Sequence, residues 1–250
     1  MREEEWLECT DPAKMLLFLQ GKTSSRKLAL FALACCRRVW HILPEHRHGR
    51  ELIEASEQFL DGQEAAWTAI ETRYGPEDGW DWYMDCHRIG DPAGAAVEAA
   101  HTSGDRARQL AQETAKSAAL VVEEAAQYAA PKPPNAVRLT GDALLNAGRK
   151  VRETAQAARR EEEAVQCRLL DDLFGPLPFG PVSVSQSWLT DAVVGLARQM
   201  YEVRDFRQMP LLGEALKQSG CRDTVILNHC CQAREHVRGC WVVDLLLGKE

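Results

Sequence analysis

The sequence predicts an all-α protein, on three observations. Helix-start signals recur, most clearly Thr10-Asp11-Pro12 and Asp91-Pro92, where an aspartate caps free amides and proline takes the first helical position. Apolar residues return at helical spacing, as in Leu28, Phe31, Ala32, Cys35, Cys36, Val39 and Ile42. Alternating β patterns are nearly missing. Val182-Ser183-Val184-Ser185 is the one plausible strand, too short to build a sheet.

Taken in order, the helix opened by Asp11 carries Met15, Leu16, Phe18 and Leu19 and stops at Gly21. Ser24 or Ser25 opens a longer helix that Pro44 ends. A third fits Arg47 to Leu60, with Gly62 just past its end. Residues 74–83 are a break rich in turn residues and aromatics. From Asp91 to Ala130 the chain is rich in Ala, Glu and Gln, all strong helix formers, with an interruption at Ser103-Gly104. Pro131-Lys132-Pro133-Pro134 ends that run, because proline removes donors and fixes φ. Thr140 to Phe174 is helical again, and Gly175 to Pro181 is a loop. Short helices follow over about 190–206, 209–219, 223–231 and 236–247. The expected architecture is a multi-helix bundle of helical hairpins. Residues 1–90 and 175–250 pack together as one structural unit, with 91–174 as an Ala-rich helical arm. Trp6, Leu16, Leu28, Phe31, Cys35, Leu169, Phe174, Trp188, Leu196, Trp241 and Leu245 are the expected core.

Composition narrows the function classes. A hydrophobic share of 45% and a charged share of 27% are those of an ordinary globular chain. The net charge of −7 argues against a nucleic-acid partner held by phosphate contacts. No apolar run reaches the length of a membrane span, and the acidic start Glu3-Glu4-Glu5 is unlike a secretory signal, so no membrane partner is expected. Nine cysteines in such a chain are expected to be reduced thiols in the cytoplasm.

Three segments carry a resemblance. The first is Glu5-Trp6-Leu7-x-Cys9-Thr10-Asp11-Pro12 with Leu30-Phe31-Ala32-x-Ala34-Cys35-Cys36-Arg37-Arg38-Val39-Trp40. The second is Gln166-Cys167-x-Leu169-Leu170-x-Asp172-Leu173-Phe174-Gly175, and the third is His236-Val237-Arg238-Gly239-Cys240-Trp241-Val242-Val243-Asp244-Leu245-Leu246-Leu247-Gly248. Together they resemble a family of bacterial helical proteins that occurs as many paralogues and has no assigned activity. The resemblance covers the two ends and implies only that they form one unit. Two departures stand out: a longer loop after Phe174 than the family's Phe-Gly-Asn-Pro-Phe, and Cys231-Gln232-Ala233-Arg234-Glu235 in place of a Gly/Pro-containing linker.

Four constellations bear on chemistry. Cys221, His229, Cys230, His236 and Cys240 are candidate metal ligands, zinc being the metal that Cys and His suit. His236 and Cys240 are spaced to share a helical face, but paired Cys-x-x-Cys hooks are missing, and packing of cysteine as a small apolar residue is the favoured reading. No resident cofactor is therefore expected, with zinc as the alternative. Thiol catalysis would pair Cys35, Cys167 or Cys240 with His41, His229 or His236, and a helical line of His236, Cys240 and Asp244 is its best form. Trp80, Trp82 and Tyr83, beside Asp78, Asp81 and Asp85, form a candidate interaction surface. Glu161-Glu162-Glu163 and Asp171-Asp172 read as solvated helix faces. Walker, Rossmann, GxSxG and HExxH motifs are missing, so no catalytic residue is assigned. The expected function is a non-enzymatic interaction or scaffold module with a protein partner; the alternative is a zinc-binding or thiol-dependent protein using the C-terminal cluster. Arg238 is expected to face outwards and Cys240 inwards.

Overall fold

The computed structural model describes residues 1–42, 49–70, 72, 92–130 and 141–249. Among them the chain is all-helical, with no strand. The helices are α1 (Glu3–Leu7), α2 (Pro12–Phe18), α3 (Ser25–Val39), α4 (Gly49–Phe59), α5 (64–70), α6 (Pro92–Ala100), α7 (Gly104–Ala129) and α8 (Gly141–Phe174). After a loop come α9 (Asp191–Val203), α10 (Met209–Gln218), α11 (Thr224–Cys231) and α12 (Trp241–Leu247). The predicted helix starts at Asp11 and Ser24 do what their chemistry requires, and Asp223, expected as the first residue of its helix, caps it in the same way. Asp11 accepts from the amides of Ala13 and Lys14, Ser24 from Lys27, and Asp223 from Val225 and Ile226. Residues 182–185 are loop.

Two hydrophobic cores organise these helices. The first surrounds α3, whose Leu28, Phe31, Ala32 and Cys35 are buried against α6, α7 and the end of α8. The contacts from α6 and α7 are largely alanine: Ala96, Ala99, Ala107, Ala111 and Ala118 are completely buried, which lets helices approach closely. The second core is C-terminal and carries larger side chains, including Met200, Tyr201, Leu212, Leu216, Ile226, Trp241 and Val243. Of the eleven expected core residues, Trp188, Leu196 and Leu245 are only partly buried, at the margin of this second core. The remaining eight are buried.

A seam of buried charge joins the cores. Asp244 of α12 takes Arg26 at 2.8 Å and Lys27 at 2.7 Å, both from the first turn of α3. Asp61, past the end of α4, accepts from Tyr201 Oη at 2.6 Å and Lys249 Nζ at 2.9 Å, and pairs with Arg26 and Arg238. Each carboxylate faces more than one cation, which offsets the large cost of removing charge from water.

The Ala-rich region divides along its length. Between Ala93 and Ala118 the chain contributes one buried face to the first core, whereas residues 120–129 and 145–157 are mostly half-buried or exposed, with Tyr128 and Leu145 exposed. At 34 residues, α8 is roughly 50 Å long. Its C-terminal end is in the core while much of its N-terminal half lies at the surface. No helix among the described residues is long and apolar enough to cross a membrane.

Candidate functional site

The last turns of α8 present two adjacent acids in opposite roles. Asp171 Oδ1 accepts from Trp6 Nε1 at 3.1 Å, and its Oδ2 meets Arg234 Nη2 at 2.6 Å. Asp172 turns inward and is wholly buried. A buried anion at a helix C-terminus is doubly disfavoured, by desolvation and by the helix dipole. It persists because three donors converge on it. His236 Nδ1 lies 2.6 Å and His229 Nε2 3.2 Å from Oδ1, and the Val237 amide donates to Oδ2 at 2.9 Å. Burial alone would raise the Asp172 pKa, yet these imidazole contacts hold it well below the usual carboxylate range. The solvated-face reading of Asp171-Asp172 is thus corrected for Asp172. Glu162 departs from it too, being buried and paired with Arg38 at 3.0 Å.

Cys240 completes the centre, its Sγ 3.2 Å from His229 Nε2 and 3.8 Å from His236 Nδ1. It reaches this place as the N-cap of α12, not as part of a helix begun at His236. Residues 236–240 form a turn because Gly239 adopts φ +94°, a left-handed conformation. A Cβ there would approach Leu30 Cδ1 to 2.7 Å and Leu173 Cδ2 to 2.8 Å, so only glycine lets the turn lie on α3 and α8. Lys27 Nζ fastens it, donating to the carbonyls of Gly239 and, at 3.2 Å, Leu173. The helical line of His236, Cys240 and Asp244 therefore does not form, and Asp244 belongs to the charge seam. Cys240 faces inward as expected. Arg238 does not face outward: its side chain is mostly buried and pairs with Asp61.

The hydrogen bonds assign the protons. Trp241 Nε1–H donates to His229 Nδ1 at 3.0 Å, so that nitrogen carries the lone pair and Nε2 carries the proton pointed at Asp172. His236 correspondingly holds its proton on Nδ1, and its buried Nε2 has no partner. Burial lowers the His229 pKa, keeping the ring neutral, and raises the Cys240 pKa far above the ordinary thiol value, with Asp172 adding to the rise.

His229, His236 and Cys240 thus converge from α11, the following turn and the cap of α12, and Asp172 from α8 joins them; the four ligand-type atoms lie within 4.8 Å of one another. Cys221 and Cys230 are not in this group and are buried in the second core, where burial pushes the Cys230 thiol to about 12. Cys35 and Cys167 lie in the first core; burial raises Cys35 strongly and Cys167 to about 12, while His41 is exposed. Trp80, Trp82 and Tyr83 lie outside the described residues. Asp172 was missed, although its signal was present: an acid between Leu169 and Leu173 occupies the buried face of an amphipathic helix.

The arrangement can do two things. As hydrogen-bonded here, it is an imidazole pair clamping one carboxylate. As a metal site, it offers O, N, N and S donors. Zinc at its usual bond lengths places tetrahedral donor atoms about 3.3–3.6 Å apart. The separations of 3.2, 3.2 and 3.8 Å are close to this, while 2.6 Å between His236 and Asp172 is a hydrogen-bond distance. Ligation by His229 Nε2 would also move its proton to Nδ1, against the Trp241 donor. No protein-family model, curated protein or solved structure matches this chain.

Proposed function

We propose that this protein is a non-enzymatic helical interaction or scaffold module of the cytoplasm. The observation that carries this reading is the sealing of the centre formed by Asp172, His229, His236 and Cys240. Asp172 and Cys240 have no exposed surface, and the side chains of His229 and His236 are 6% and 3% exposed. A catalytic thiol needs a lowered pKa and a path for substrate, and Cys240 has neither. The half-exposed α7–α8 hairpin supplies an accessible helical surface for a protein partner, and the free state of every described cysteine suits a reducing compartment. Native-state alkylation mapped by peptide mass spectrometry tests the non-catalytic part. Cys231, which is exposed, should label quickly and Cys240 only on unfolding. Rapid native labelling of Cys240 would defeat this reading.

The convergence of four ligand-type atoms favours a second reading, structural zinc at Asp172, His229, His236 and Cys240. Elemental analysis of untagged protein purified without chelator separates the two. Stoichiometric zinc that disappears in Cys240→Ala, with a change in Trp241 fluorescence as its indole bond to His229 is given up, selects the metal reading.

A further inference from the structure

A cavity of about 230 Å³ lies where the two cores meet, on the other side of the His236 segment from the sealed centre. Arg37 and Arg38 of α3 line it, with Arg204, Arg238, Glu57 and Glu235. Four guanidinium groups thus face two carboxylates, a surplus of two positive charges (4 − 2) in the wall. Glu57 braces the arginines, receiving Arg37 Nε at 2.6 Å and Nη2 at 3.0 Å and pairing with Arg204. Glu162 and Asp61 hold Arg38 and Arg238 from behind, Asp61 being shared with Arg26 and Lys249.

Pairing is incomplete in one respect. Six buried side-chain N or O atoms among the described residues have no hydrogen-bond partner, and three belong to residues lining this cavity: Arg204 Nε, Arg238 Nε and His236 Nε2. The two arginine atoms are obligate donors, since guanidinium does not lose its proton in proteins. Those two atoms are closed even to water, so the donors a ligand in the cavity meets are the accessible parts of Arg37, Arg38 and Arg204, whose side chains are 27%, 24% and 30% exposed. Arg204 is also the one non-glycine among the described residues with positive φ, at +56°, a conformation that costs an L-residue energy. It places an arginine in the cavity wall where an unstrained turn would use glycine or asparagine.

We propose that this cavity binds a phosphate-type oxyanion, either inorganic phosphate or a small phosphate monoester. Compact dianionic charge matches the surplus in the wall, and acceptor oxygens in a tetrahedral array suit forked donors arriving from α3, the end of α9 and the 236–238 turn. The volume is below that of pockets for drug-sized ligands, roughly 300–1,000 Å³, and suits a compact ion.

The test is calorimetric titration of the full chain with inorganic phosphate at constant ionic strength, chloride serving as the screening control. Saturable one-to-one binding is expected. Arg204→Gln should weaken it roughly tenfold or more, the scale of a lost charge-assisted hydrogen bond. Arg207→Gln, at an exposed arginine paired with Asp205 outside the cavity, should leave it unchanged. If Arg204→Gln fails to fold, Arg204→Lys keeps the charge but removes the fork, and it should also weaken binding. Methyl phosphate binding as well as phosphate supports a monoester, and binding of phosphate alone supports the free ion. Absence of saturable binding, equal affinity in the folded Arg204 variants, or equal loss in Arg207→Gln overturns the site.

Discussion

Two polar regions meet at the His236 segment and are built on opposite terms. On the α8 side, the Nδ1 atom of His236 joins a centre in which each Asp172 oxygen has a donor and His229 uses both ring nitrogens. On the cavity side lie arginines in excess of carboxylates, with two guanidinium N–H groups unanswered. A saturated buried network stabilises one arrangement and has little left with which to recognise a ligand. A network short of acceptors is costly alone and ready to bind. Burial and polarity are common to both regions; the difference is whether the donors are matched.

The largest expected effect attacks the saturated side. Trp241→Ala removes a fully buried indole and the donor that sets the His229 tautomer, and should cost about 3–5 kcal/mol by chemical denaturation. Phosphate affinity per folded molecule should stay as in the parent protein, so a large change there would join the two regions into one.

Asp172→Asn should come next, at about 2–3 kcal/mol, because it weakens two imidazole contacts to a buried anion. It should also change the acid limb of stability. The folded His229 pKa is lowered, so the unfolded chain takes up the proton first, and stability begins to fall as pH drops below about 6.5. The folded Asp172 pKa is also lowered, so its contribution is complete above the unfolded carboxylate value near 3.9 and is lost as pH falls below it towards the folded pKa. Melts across this range should show both losses in the parent and only the first in Asp172→Asn.

Cys240→Ala should cost about 1 kcal/mol, with melting unaffected by chelator. Under the zinc reading it would cost more than Trp241→Ala and chelator would reproduce it. The smallest effect belongs to the cavity rim. Glu235 is half-exposed and pairs with Arg38, so Glu235→Gln should move stability by no more than about 0.5 kcal/mol. It should tighten phosphate binding by removing a competing anion, a combination no residue of the sealed centre can give.

The helical fold was legible because its signals are local: Asp11, Ser24 and Asp223 cap helices by chemistry that reaches only two or three residues. The Cys/His spacing also pointed to a segment in which His229, His236 and Cys240 come together. Legibility failed where tertiary contacts decide. The periodicity around His236 and Cys240 suggested one helix, but Gly239 breaks it, since a turn that lets Lys27 reach its carbonyl is preferred to another helical residue. Asp172 and Glu162 lie within acidic runs, and only their helical phase with Leu169 and Leu173 separates them from solvated neighbours. The arginine cavity has no linear signature, since its walls come from α3, α4, the end of α9 and the turn before α12.

The ion pair from Arg26 to Asp244 spans 218 residues of chain. Ribosomes add about 5–20 residues per second, so roughly 10–45 s pass between synthesis of its two halves. Throughout that interval Lys27 lacks its carboxylate, Arg26 has Asp61 but not Asp244, and Leu30 lacks the Gly239 turn that covers it. Closure at such separation also slows the search for the native state. The nascent chain can pack α6, α7 and α8 on its central helix during that wait, but the first turn of α3 stays open until α12 arrives, and that is the interval in which a chaperone holding this turn would protect it most.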